Sequence, residues 1–178
     1  MIAPYSLSNV LTMAVAVLCL WTIGSQSSGG VVKAWRLAVP PCLAAINALV
    51  LLAGVFDATL AHDAEWLAAL LLGAAIGRTK GWLTSIQADR QWGLVRLPRA
   101  MDGLLAAFGL IVVSLIDSVG AVFEDPIVAP EHVAAGAALC AGYLGFRALA
   151  MFSRAARAPH VQLYDAAPPP TSAGRSTL

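Results

Sequence analysis

GAAIGRTKGWLTSIQADRQWGLVRLPRAMD, residues 73–102, is the stretch whose reading decides the fold. It opens as the small-residue end of one apolar segment and runs out into another. Between them lie five of the chain's eleven basic residues, Arg78, Lys80, Arg90, Arg96 and Arg99. A cationic connector between two apolar runs stays on the cytoplasmic side when a membrane protein inserts. The stretch therefore predicts a membrane protein and orients every other segment.

Composition points the same way. Hydrophobic residues make up 59% of the 178, charged residues 12%, and mean hydropathy is +0.76, whereas soluble domains carry about 25% charged residues. That excludes an ordinary soluble domain. The net charge of +1 is less informative than its distribution: basic and acidic residues gather in different segments, which is a topology signal and not a nucleic-acid footprint.

Outward from the central stretch, five apolar segments follow. Residues 7–24 carry no ionisable side chain and are long enough to cross most of a hydrocarbon core of about 30 Å. No Lys or Arg precedes them and no small-x-small site follows, so they read as a spanning helix and not as a cleaved leader. A Ser/Gly-rich connector, 25–36, leads to a second span, 37–56, whose Pro40 and Pro41 sit where first-turn amides lack helical partners anyway. Asn47 is that span's strongly polar interior group and is expected to hydrogen-bond a neighbouring helix.

The third apolar segment, 66–77, is too short to span alone. It reaches span length as a helix over about 60–80, with His62, Asp63 and Glu65 at its outer end and Arg78 and Lys80 reaching the inner surface. Residues 103–123 and 133–152 are the fourth and fifth spans. Gly73 and Gly77 form a GxxxG; the fifth span carries Ala134, Ala138 and Gly142 in one small-residue row and Gly145 in a second. Such rows let helices approach closely. Residues 153–178, with Arg154, Arg157, Arg175 and a PPP run, read as a disordered cytoplasmic tail.

Inside the organising connector, SIQA and LVRLP flank DRQWG. An Asp followed four residues later by a Gly suits a type I turn closed by a left-handed residue, hence a short β-hairpin. The alternative is a helix three that continues to about Gln91 along the interface with Trp82 and Ile86 on its apolar face. Gly93 and the strand-like 94–97 favour the hairpin.

With the amino terminus outside, all eleven Lys and Arg residues fall on the inner side or at inner helix ends, while the outer connectors 57–65 and 124–131 hold six acids and no base. Five spans satisfy this pattern and an even number does not. Trp21, Trp35 and Trp82 then mark the inner boundary and Trp66 the outer. The expected fold class is an all-α integral membrane protein of five transmembrane helices with a cytoplasmic carboxyl terminus.

Candidates for chemistry are few. Asp117 is an intramembrane carboxylate, which is costly in lipid and so a functional candidate, either structural or a proton or cation site. Helix counting puts Arg147 about 12 Å from it along the membrane normal, so Arg147 reads as a topology anchor reaching the inner surface. His62 and His132 fall among the outer acids, where nitrogen and carboxylate ligands would suit a transition metal, though the spacing matches no established site. Cys19, Cys42 and Cys140 are scattered in apolar segments. No nucleophile elbow, phosphate-binding glycine loop or zinc-protease helix is present, so no catalytic residue and no cofactor is expected.

The short glycine-bearing helix followed by GRTKG, then an Asp, a Gly and VRLPRA, resembles small inner-membrane proteins of bacteria, including those grouped as CcdC-like, over residues 66–116. The resemblance implies a bacterial multi-span protein of the cytoplasmic (inner) membrane and brings no catalytic residues. The leading expectation is a non-catalytic accessory, assembly or scaffold component, with the small-residue rows of the third and fifth helices as faces for another membrane protein or a second copy. The alternatives are an oligomeric carrier using Asp117 and an outer-face metal or redox protein.

Overall fold

The computed structural model describes residues 7–54, 60–89, 91–123 and 128–163. It contains five long helices: α1 (Leu7–Ser27), α2 (Val39–Ala53), α3 (Leu60–Leu83), α4 (Asp102–Phe123) and α5 (Pro130–Arg157). A 3-10 turn, Ala34–Ala38, leads directly into α2. Three short strands complete it: β1 (Val31–Lys33), β2 (Gln87–Asp89) and β3 (Leu94–Arg96).

Among the described residues four helices are long and apolar enough to cross a membrane: α1, α2 with its preceding turn, α4 and α5. The chain is therefore read as a membrane protein. The helix α3 is long enough at 24 residues, about 36 Å, but charged groups at both ends confine its apolar middle to 66–77. Large apolar side chains face outward around the bundle, among them Leu71, Leu105, Leu115 and Leu149, each more than half exposed. Such a surface suits lipid and not water.

The helix α5 is central and packs on α2, α3 and α4, while α1 packs on α2 and α4. Among the helices, α3 rests on α5. Its glycines explain how. An added Cβ at Gly73 would run into the Leu139 carbonyl, one at Gly77 into the Tyr143 carbonyl, and one at Gly81 into Arg147 and Ala150. Across the same seam Gly142 faces Leu70 and Ala74. The expected GxxxG is thus the first part of a three-glycine row, and it meets a helix of its own chain. Ala134 and Ala138 are likewise buried within the chain, whereas Gly145 has open space where a Cβ would lie.

The cationic connector forms the hairpin. Strands β2 and β3 pair antiparallel with Gln87 opposite Arg96 and Asp89 opposite Leu94. Gly93 takes a left-handed φ of 60°, as the closing residue of such a turn requires. The interfacial-helix alternative does not occur: α3 stops at Leu83. Arg90 lies outside the described residues.

Two features depart from expectation. The Ser/Gly-rich connector is not a plain loop, because its residues 31–33 pair with β3 to give a three-stranded sheet of order β1-β3-β2. Gly29, with φ 74°, turns the chain out of α1 and into that strand. And α5 runs on to Arg157, past the expected end at 152, after which residues 158–163 lie along β2 with a parallel bridge from His160 to Ala88. Residues 164–178 of the expected disordered tail lie outside the described residues. The connectors after α1, α3 and α5 therefore meet at one end of the bundle, and α2/α3 and α4/α5 are there-and-back pairs.

Replacing Gly77 with Ala is expected to destabilise the protein by about 1–3 kcal/mol, the usual cost of overpacking, because the clash is with rigid backbone. Gly145→Ala should cost nothing, since its Cβ meets open space. Reversible unfolding of the two variants in detergent checks the contrast, and equal behaviour would contradict the seam.

Candidate functional site

The densest polar cluster lies where α4 begins, at the end of the bundle that carries the sheet. Asp102 opens α4, a favourable place for an anion at a helix amino terminus. From α5, Arg147 donates through Nε to Asp102 Oδ2 at 2.9 Å and through Nη2 to Oδ1 at 3.0 Å. Tyr143, one turn earlier on α5, donates its hydroxyl to Asp102 Oδ2 at 2.8 Å. The Asp102 and Arg147 side chains are 27% and 15% exposed, so this bidentate pair is largely shielded and stronger than a surface ion pair. Arg147 is thus not simply an anchor reaching for the surface: its charge is spent on a carboxylate within the bundle.

A cavity of 30 Å³ borders this cluster, lined by Pro40, Thr84, Leu97, Gly103 and Arg147 among others. A water needs about 10–15 Å³ by this measure. The space therefore has room for about two or three waters and is too small for an organic substrate.

Arg154, two turns further along α5, donates to the carbonyls of Gly81 at 3.3 Å and Trp82 at 2.7 Å, and also to that of Thr84. The carbonyls of Gly81 and Trp82 are among those a helix end leaves without partners, so Arg154 caps the last turn of α3. Asp89 completes the sheet end. Its carboxylate, 2% exposed, accepts from the amides of Gln91 at 3.1 Å and Trp92 at 3.3 Å through Oδ1, and of Leu163 at 3.1 Å through Oδ2. His160 Nδ1 stands 3.7 Å away. Burial opposes ionisation, but the amides of Leu163, Trp92 and Gln91 and the neighbouring His160 outweigh it and hold this carboxyl below its ordinary value. Asp89 thereby fixes the hairpin turn and fastens residues 158–163 to the sheet.

Asn47 is fully buried. Its amide donates to the Thr12 carbonyl at 2.7 Å and to Ser114 Oγ at 3.2 Å, tying α2 to α1 and α4. Asp117 is half-buried on α4 and has no hydrogen bond or ion pair among the described residues. At the other end, His132 Nδ1 lies 2.5 Å from Glu65 and His62 Nε2 lies 3.9 Å from Glu131. The two histidines thus pair crosswise with carboxylates between α3 and α5. No group of three or more metal-ligating side chains occurs among the described residues; Asp57, Glu124 and Asp125 lie outside them. Of the basic connector, Arg78, Lys80, Arg96 and Arg99 are exposed, and Arg99 Nε also donates to the Ser28 carbonyl at 3.3 Å.

No family model, curated protein or solved structure matches the chain.

Sequence reasoning missed Asp102, Tyr143 and Asp89 as site residues. A signal existed for two of them: Tyr143 and Arg147 are four apart on one helix face, and Asp102 is one of two acids in the basic stretch 73–102.

Two outcomes follow. Asp102→Asn and Arg147→Met should each cost about 1–3 kcal/mol, less than for a fully buried pair because both side chains are partly exposed. The double variant should cost less than their sum, measured as a coupling energy in a double-mutant cycle. For Asp89, the folded value lies below the unfolded one of about 3.9, so its stabilisation is present above that value and is lost as pH falls through the lower, folded value. Hydrogen-exchange protection of the Leu163 amide should disappear across that acidic window, and at neutral pH in Asp89→Ala; persistence in both would refute the fastening.

Proposed function

We propose that this chain is a five-span protein of the bacterial inner membrane, amino terminus outside, acting without catalysis as an accessory or scaffold component of a larger membrane assembly. The carrying observation is that the polar groups gathered at the inner end bind the chain to itself. Asp102 is filled by Arg147 and Tyr143, Asp89 by backbone amides and Arg154 by the end of α3. Such a cluster is a lock and not a reaction centre, and its adjoining cavity is water-sized.

The orientation rests on the positive-inside pattern, which fits the meeting of the three basic connectors at one end. The partner face differs from the Gly73/Gly77 and Ala134/Ala138/Gly142 rows, because those are buried within the chain. What remains is the side of α3 turned away from α5, where Leu67, Leu71, Leu72 and Ile76 are 45–59% exposed. The helix α3 has a short apolar middle, carries charged groups at both ends and leans on one neighbour, so a second membrane protein or a second copy completes its surroundings better than lipid alone.

A second reading is favoured by Asp117, a carboxylate in a candidate span without a partner among the described residues. An oligomeric carrier would use it as a proton or cation site.

Extraction into native nanodiscs followed by mass spectrometry tests both. The scaffold reading expects a stoichiometric protein partner or second copy that is lost in Leu71→Trp; a lone chain overturns it. The carrier reading expects Asp117→Asn to abolish flux in proteoliposomes while insertion is kept.

A further inference from the structure

Two cavities on the outside of the bundle share Trp21. One, of 400 Å³, lies where α1 ends and α2 begins and is lined by Trp21, Ser25, Gln26, Trp35, Arg36 and Val39. The other, of 790 Å³, is an open furrow along α1 and α4, lined by Val10, Ala14, Val17, Leu18, Leu115 and Val119. The α1 residues recur at helical spacing, so the furrow follows one face of α1 down to Trp21, where the two cavities adjoin across that side chain.

We infer that this groove binds one anionic phospholipid of the inner leaflet, its headgroup against Trp35 and Arg36 and one acyl chain in the α1–α4 furrow. The assignment of leaflet rests on the orientation proposed above.

Length agrees. From Val10 to Trp21 is eleven residues, roughly 16 Å of helix, and one leaflet's hydrocarbon is about 15 Å deep, half of the core. A single tail fills the furrow.

The headgroup end is prepared in shape and charge. Gln26 Nε2 donates to the Arg36 carbonyl at 2.8 Å, which holds the turn carrying Trp35 and Arg36 against α1. The guanidinium of Arg36 stands 5.8 Å from the Trp35 ring centroid, and Arg36 has no acidic partner among the described residues. Neither the Trp21 nor the Trp35 indole N–H has an acceptor among the described residues, although both rings are well exposed. Thr22 and Ser25 spend their hydroxyl protons on the carbonyls of Cys19 and Thr22, so the side-chain donors left for a ligand are the guanidinium, the indoles and the second amide hydrogen of Gln26.

Charge complementarity selects the class of lipid. Asp89 and Asp102, the acids described at this end, are taken up by the amides and by Arg147 and Tyr143. Lys33 and Arg96, exposed on the adjoining sheet, add to the positive field, and β1 pairing sets Arg96 opposite Val31. A phosphate carrying net negative charge gains here; a choline headgroup would bring its ammonium into the same field.

The test is native mass spectrometry of the whole chain in detergent, exchanged against phosphatidylglycerol or phosphatidylcholine. One phosphatidylglycerol per chain should be retained in preference to phosphatidylcholine. Arg36→Gln should lower that retention roughly tenfold, as expected for one charge-assisted contact. Ala14→Trp, which fills the exposed furrow and leaves Arg36 in place, should lower it as well. Arg78→Gln, on α3 and outside both cavities, should leave it unchanged, with helical content checked for all three. Equal retention of the two lipids, no effect of Arg36→Gln and Ala14→Trp, or an equal loss in Arg78→Gln overturns the assignment. The readout is on the isolated chain, so it stands or falls apart from the capture of a protein partner.

Discussion

The close approach of α3 to α5 is the contact on which the rest of the bundle depends. In lipid there is no hydrophobic gain from bringing two apolar helices together, so association rests on van der Waals fit. Three glycines at four-residue spacing on α3 let its backbone come against the carbonyls of Leu139 and Tyr143, while Gly142 does the reverse toward Leu70 and Ala74. Backbone-to-backbone contact over this length gives α3, whose own apolar middle is short, a place in the bundle. It also sets α5 at the centre, where it can reach α2 and α4 with its other faces.

That central position puts charged residues of α5 to structural use. Arg147 and Arg154 lie seven residues apart, so both project from one side of the helix, two turns apart. The first meets the carboxylate that opens α4 and the second meets the carbonyls that close α3. Arg154 sits where the end of α3 offers a complementary negative partial charge; at the start of α4 it is Asp102 that complements the helix end, and Arg147 meets that carboxylate. The two flanking helices are thereby fastened to α5 in depth as well as laterally. Asp89 does comparable work one layer further in, where its carboxylate holds a turn and the strand-like segment after α5 together.

How much of this the sequence disclosed depends on the range of the interaction. The apolar runs, the cationic connector and the hairpin turn were legible, because each is set by local composition or by a residue such as Gly93 whose φ the turn requires. The third strand was not. Residues 31–33 are three among many in a Ser/Gly-rich connector, and their pairing depends on β3 lying within reach, which no local pattern states. The Asp102–Arg147 pair was hidden for the same reason: its members are 45 positions apart, and helix counting from assumed boundaries compared Arg147 with Asp117 when the acid at its depth was Asp102. Small-residue rows were visible as rows, but a row does not name its partner. Their occupant proved to be the chain itself, and Gly81, the third glycine, belonged to a segment read as connector.

The two ends of the bundle are held by unlike forces. At the sheet end, shielded ion pairing, carbonyl capping and backbone pairing act together, and each fixes the geometry that the next one needs. At the other end the described ties between α3 and α5 are the crosswise pairs His62–Glu131 and His132–Glu65, with side chains 26–57% exposed. Ion pairs of that exposure contribute about 0–1 kcal/mol. They also need protonated imidazoles to be ionic at all. The helices α3 and α5 are therefore set by the glycine seam and the sheet end, and the histidine end follows. Polar residues on that far side, Asp117 among them, sit where the bonds among the described residues are the weaker ones, whereas the basic end presents a fixed surface to whatever lies against it.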